Sequence, residues 1–170
     1  MQAAVKLAAL GYTEHSFPHV TRVATVAGQI LEKLGYPRRT VELAKIAGYL
    51  HDIGNLVNRV EHSQSGALMA FRILDNMGMD AKELASVVTA IGNHDEGTGV
   101  PVDDLSAALI LADKSDVRRT RVRNQDPTTF DIHDRVNYSV TKSELKINEK
   151  KTNVKLKLTV DTHFSPVMNY

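Results

Sequence analysis

The chain has 170 residues, 42% hydrophobic and 24% charged, which suits one domain with a real core plus a small appendage and is too apolar for disorder. A formal net charge of +1 gives no electrostatic reason to expect a specific nucleic-acid or membrane surface. With no cysteine, disulfides and thiolate sites are excluded, so any metal must be held by nitrogen and oxygen. No apolar run approaches the roughly 18 residues of a membrane span, and the first residues lack the charged-then-apolar order of a signal peptide. The expectation is a cytoplasmic protein, in keeping with the absence of cysteine.

Met1 to Leu10 reads as a short alanine-rich helical piece stopped by Gly11. Pro18 then stands where a helix can begin. From His19, the residues Val20, Val23, Val26, Ala27, Ile30, Leu31 and Leu34 recur every three to four positions, which predicts an amphipathic helix ending before Gly35. Pro37 opens a second helix whose Val41, Leu43, Ala44, Ile46, Ala47 and Leu50 make it almost wholly apolar. Such a helix belongs at the centre of a bundle, and its end at His51 and Asp52 is then buried. After Gly54, helical spacing returns from Glu61 to Met77 with His62 in the first turn. Asp80 caps a further helix that delivers His94, Asp95 and Glu96 into the turn Gly97-Thr98-Gly99. Asp103 and Asp104 start another, which leads to Asp113.

Composition changes near Asn124. Val136, Tyr138 and Val140, then Leu145 and Ile147, then Val154, Leu156, Leu158 and Val160 alternate with period two. This reads as half-buried strands joined by a hairpin connection over Asn148 to Asn153. A ribbon of this size is marginal alone and must pack on the helical body or on another subunit. The run Arg118 to Arg123 reads as a solvated helix face close enough to the candidate site to attract an anion. His15 lies before Pro18, which separates it from His19, while His133 and His163 fall in the ribbon, away from the site. Ser165-Pro166 reads as the start of a helix that is not completed, as in a chain cut short. The expected organisation is therefore residues 1–124 as a helical metal-binding domain and residues 125–170 as a β-ribbon appendage.

Histidines and carboxylates thus keep appearing where helices begin or end. Placed so, they can bind a divalent ion and leave coordination positions open. In order they are His19, the adjacent pair His51-Asp52, and Asp113. With the contexts His19-Val20-Thr21-Arg22-Val23-Ala24 and Ala107 to Asp116, this order resembles the H...HD...D pattern of the HD-domain metal-dependent phosphohydrolase superfamily over roughly residues 15 to 120. The resemblance implies an HD-type multi-helix bundle, mainly α, here with a small C-terminal antiparallel β-ribbon. It also implies His19, His51, Asp52 and Asp113 as ligands of a first metal.

His51-Asp52-Ile53-Gly54, the segment from Glu61 to Ala67, and His94 to Pro101 are similar to the HD-GYP branch, which cuts cyclic dinucleotides. That likeness adds His62 and His94 as ligands of a second metal bridged through Asp52. The chain departs from the branch at Asn55 (a lysine there), Asn93 (a histidine) and Val100 (a tyrosine). An asparagine amide is no acid at neutral pH, so the branch's own reaction is not expected.

The expectation is an enzyme that hydrolyses a phosphate ester, a nucleotide or another phosphomonoester or phosphodiester, with metal-activated water. One or two divalent ions per chain (Mn, Fe, Ni, Zn or Mg) serve as cofactors. Arg22, one turn after His19, and Lys114, next to Asp113, are candidates to hold phosphoryl oxygens beside Asp52. Each also reads as an ordinary solvated or salt-bridged side chain. The partners expected are a phosphate-containing small molecule and a second copy docked through the ribbon, with no membrane and no specific nucleic acid. Two other readings stand: a metal-containing nucleotide-binding regulatory domain without turnover, and a dimerising interaction module.

Overall fold

A computed structural model describes residues 17–95, 97, 99–124 and 126–164. The helical piece expected over Met1 to Leu10, together with His15, Glu96 and the helix start at Ser165-Pro166, lies outside these residues. The described helices are α1 (Phe17–Leu34), α2 (Arg38–Leu50), α3 (His62–Asn76), α4 (Ala81–Gly92), α5 (Asp104–Ser115) and α6 (Ile132–Ser139), followed by strands β1 (Val140–Ile147) and β2 (Val154–Val160). A 3-10 turn, Ile53–Leu56, links α2 towards α3. The architecture is a mainly helical bundle carrying a small two-stranded antiparallel ribbon, and it matches the fold expected from the sequence.

Helix α1 buries the predicted stripe, including Val23, Ala27, Ile30 and Leu31, against α2 and α5. It ends at Gly35, whose φ of 93° lets Gly35 N and Tyr36 N both donate back to Leu31 O at 3.1 and 3.0 Å. Helix α2 touches α1, α4 and α5, the central place its apolar body requires. Its Gly48 lets the backbones meet, because a Cβ there would come within 2.6 Å of Ala24 Cα. Asp80 caps α4 by accepting from Lys82 N and Glu83 N. At α5, Asp103 and Ser106 cap each other reciprocally.

The sharpest close approach is at Gly54. A Cβ there would run into the His62 carbonyl oxygen and come within 2.5 Å of Gly66 N, so α3 and the turn after α2 meet main chain to main chain. Gly54→Ala is expected to destabilise the chain by about 3 kcal/mol, the upper range for overpacking where backbone rather than a side chain must yield. Chemical denaturation checks this, and a midpoint equal to wild type would show that the contact relaxes freely.

The region from residue 132 differs from the sequence reading. Ile132–Ser139 is helical, because the Asp131 carboxylate accepts from Asp134 N at 2.7 Å and starts a turn. The spacing of Val136 and Tyr138 only imitates strand alternation, and the strand itself begins at Val140. In the ribbon, Leu145 pairs with Leu156 and Ile147 with Val154. Ile147 enters the helical core and Leu145 packs against it, while Lys151 Nζ donates to Leu34 O at 3.1 Å. One face of β1 thus rests on the helical body, and Val154 and Leu156 of β2 are exposed.

The arginine run also differs. Arg119–Arg121 is a single 3-10 turn, and its neighbours point inward. Arg118 Nε lies 2.7 Å from Asp116 Oδ1 and Arg121 Nη1 donates to Asp116 O at 2.8 Å. Arg119 stacks on Tyr138 and pairs with Asp161. The buried carboxylate of Asp116 explains the difference, since an unpaired charge in that position would be costly.

Candidate metal centre

His51 and Asp52 emerge at the end of α2, His62 at the start of α3, and His94 just past α4. His19 sits in the first turn of α1 and Asp113 in the last turn of α5. The fold gathers all six. His19, His51, His62 and His94 are buried, as is Asp52. Asp113 is 11% exposed, which leaves the centre open at that edge.

Three imidazoles are held in the same way. Nδ1–H of His51 donates to Gly48 O at 2.8 Å, that of His62 to Arg59 O at 3.0 Å, and that of His94 to Ile91 O at 2.7 Å. For His51 and His94 the acceptor is a carbonyl in the last turn of the preceding helix. A carbonyl can only accept, so the proton must sit on Nδ1, and the Nε2 lone pair turns to the centre. His19 is set differently, with Nδ1 2.8 Å from Asp116 Oδ2. Glu61, just before His62, adopts φ 56°, ψ 29°. A left-handed non-glycine residue at that spot is local strain of the order of 1 kcal/mol or more, retained where it orients a functional side chain.

The inward atoms form two groups. Around one oxygen of Asp52, Oδ2 lies 3.6 Å from His19 Nε2 and 3.5 Å from His51 Nε2, while Asp113 Oδ1 lies 3.3 and 3.7 Å from the same two nitrogens. Around the other, Oδ1 lies 3.5 Å from His62 Nε2, which is 3.1 Å from His94 Nε2. Donors about 2.1 Å from one ion are separated by roughly 3.0 Å at right angles and 3.4 Å in a tetrahedron, so these spacings fit a divalent ion. His19, His51 and Asp113 form one set able to hold an ion, and His51, Asp52 and His94 a second, which His62 Nε2 adjoins at 3.1 Å from His94 Nε2 and 3.5 Å from Asp52 Oδ1.

The electrostatics agree with that fit. Burial pushes His94 down to about 3, with facing His51 adding to the shift, and burial together with Arg59 also lowers His62. Both are therefore neutral at pH 7, and their Nε2 atoms face each other across 3.1 Å, close enough to share one divalent ion. His51 is raised despite its burial because Asp52 and Asp113 face it, and its buried Nε2 has no hydrogen-bond partner among the described residues. Burial opposes ionisation of Asp113, but facing His19 and His51 outweigh it and hold the group well below the carboxylate range. A field that favours a cation in this space is what a metal would exploit.

Of the other predicted residues, Lys114 Nζ lies 2.9 Å from Asp113 Oδ2, on the carboxylate oxygen that faces away from His19. Arg22 Nε lies 3.0 Å from Asp116 Oδ1, and its Nη2 donates to Ser143 O at 3.4 Å. Asn55 donates to Asp52 Oδ1 at 2.8 Å. Two residues with a part in the site went unread in the sequence. Asp116 is fully buried, and although burial opposes its charge, contacts with His19 and Arg118 bring it to about 2. Its signal was present, one helical turn beyond Asp113. Arg59, with Nη1 3.0 Å from His62 Nε2 and 3.7 Å from Asp52 Oδ1, gave none, since it stands in an irregular connection.

Comparisons with known proteins bear on this geometry. The family model for the HD domain matches residues 17–126. The chain is 28% identical to the uncharacterized protein MJ1020 of Methanocaldococcus jannaschii, over 84% of this chain and 63% of that protein. It is 33% identical to Ribonuclease Y 1 of Pediococcus pentosaceus over 61% of this chain, which spans only 18% of the ribonuclease. The chain thus covers less than two thirds of either relative's length. No solved structure gives a significant match. No helix among the described residues is long and apolar enough to cross a membrane. The family match begins at the first residue of α1, runs past Asp113, and takes in every histidine and carboxylate gathered at the centre: the chain belongs to the HD-domain family, within the metal-dependent phosphohydrolase superfamily.

Proposed function

We propose that the chain hydrolyses a small phosphate ester, a nucleotide or another phosphomonoester or phosphodiester, at one or two divalent ions held by His19, His51, Asp52, His62, His94 and Asp113. The observation that carries this reading is the set of buried imidazole nitrogens aimed at one space and faced by the two carboxylates of Asp52 and Asp113. When bound there, a divalent ion makes water acidic enough to serve as nucleophile and screens the charge on phosphoryl oxygens.

The chain's own residues supply the rest. Asp52 presents one oxygen to each ligand group and so fixes their separation. Main-chain carbonyls keep the imidazoles in the metal-binding tautomer. Lys114, with its side chain 42% exposed at the open edge, is placed to hold a non-bridging phosphate oxygen. Arg22, 41% exposed, is anchored first on Asp116, so we assign it to hold Asp116 behind His19 as well as to meet the anion. Asn55 orients Asp52 and supplies no acid. Asp95 is half-buried and acts on His62 through its charge.

The test is release of nitrophenol from p-nitrophenyl phosphate and its bis ester, of phosphate from nucleoside monophosphates and of shortened fragments from a short RNA, with Mn²⁺ or after chelation. The RNA is included because one relative is named a ribonuclease. Release that disappears with chelator and returns with Mn²⁺ is the expected result. Metal bound without turnover of any substrate would reject hydrolysis and favour a regulatory domain that binds a nucleotide.

A further inference from the structure

The two ligand groups are not equivalent. Around His19 and His51 the neighbouring side-chain cations sit on carboxylates: Lys114 occupies Asp113 Oδ2 and leaves Oδ1 turned to the histidines, while Arg22 and Arg118 are held on Asp116. At His62 a guanidinium comes to the ligand atom itself, with Arg59 Nη1 3.0 Å from Nε2. The main chain of the same residue accepts from Nδ1–H of that ring at 3.0 Å. Arg59 therefore grips both nitrogens of one imidazole. Its Nη1 also lies 3.4 Å from Asn55 Oδ1 and 3.7 Å from Asp52 Oδ1, so it is centred on the donors that a second ion would use.

An imidazole nitrogen of this kind has one lone pair, which either accepts an N–H or coordinates an ion. A guanidinium keeps its positive charge at any workable pH. It cannot withdraw by losing a proton, and while in place it repels an arriving dication. Resting on the assignment of this centre as a metal site, we infer that Arg59 competes with the second divalent ion for His62 Nε2. The His62–His94 site then fills after, and more weakly than, the site built on His19, His51 and Asp113. The Arg59 side chain is 26% exposed, which gives it a route outward when the ion enters.

The experiment is titration of the full chain with Mn²⁺, read by calorimetry and by the paired-ion signal in electron paramagnetic resonance. It compares wild type, Arg59→Ala, Arg59→Gln and His62→Ala, each first shown to melt cooperatively. Wild type is expected to show one tighter and one weaker step. Either Arg59 variant should tighten the weaker step about tenfold or more, the scale of one charge-assisted hydrogen bond released. The first step should stay in place, and His62→Ala should abolish the second. Equal second-step affinity in wild type and both Arg59 variants, or a single ion bound by all of them, would overturn the role of Arg59 while leaving the metal centre intact. Failure of every protein to bind Mn²⁺ would overturn the metal centre and this inference together.

Discussion

Asp52→Ala is expected to remove the metal and the hydrolytic activity together. Asp52 Oδ2 stands with His19 and His51, and Oδ1 with His62, so one truncation takes a donor from both groups. It also leaves Asp113 as the one carboxylate of the two ligand groups described above to balance a dication. Loss of a residue that merely orients a ligand typically weakens metal binding by about 10- to 100-fold, so loss of a shared donor should exceed about 100-fold. Turnover should fall by about 10³ or more, because both water activation and charge screening depend on the ion. Elemental analysis of metal per chain, beside phosphoesterase rates at fixed Mn²⁺, provides the check. An Asp52→Ala protein that retains wild-type metal content would contradict the assignment of Asp52 as the shared donor.

The second large effect is on stability. Asp116→Ala removes a fully buried carboxylate that touches His19 at 2.8 Å, Arg118 at 2.7 Å and Arg22 at 3.0 Å, with Arg121 at 3.9 Å and its Nη1 on the Asp116 carbonyl. Breaking a buried charge network from one side costs about 3–5 kcal/mol, since the remaining charges keep their desolvation penalty and lose their partner. In a chain of this size that corresponds to a fall in Tm of roughly 10 °C. Asp116→Asn, which preserves shape and one acceptor, should lose less. Thermal melts of the metal-free proteins measure this without interference from bound ion. A loss under about 1 kcal/mol would place Asp116 with ordinary surface pairs.

What could be read in the sequence follows from where each signal is stored. Helix α1 was legible because Val20, Val23, Ala27, Ile30 and Leu31 repeat on one face, and the central position of α2 because its residues are apolar all round. The six residues gathered at the centre were legible in part from their places at helix ends and in part from family likeness, because a histidine beside an aspartate at 51 and 52 is a weak sign alone. Ile132–Ser139 was misread because Val136 and Tyr138 satisfy a period of two, while the helix is decided by the Asp131 cap. Arg118 and Arg121 were misread because charge density marks a solvated face only when no buried carboxylate lies within reach. Arg59 could not be found, because it lies three residues before His62 in a connection with no regular structure, where spacing does not fix the direction of a side chain.

The bond from each inward imidazole of His51 and His94 to a carbonyl three residues earlier has a consequence beyond aiming the ring. The contact that presents each ligand lies in the last turn of α2 or α4, so fraying of that terminus would also disturb coordination. A cation bound at this centre would tighten two chain segments that are distant in sequence, and its withdrawal would loosen both at once, through linkage alone. On the proposed reading the centre is a clasp, which would add cooperativity to the bundle in proportion to how firmly it grips its ion.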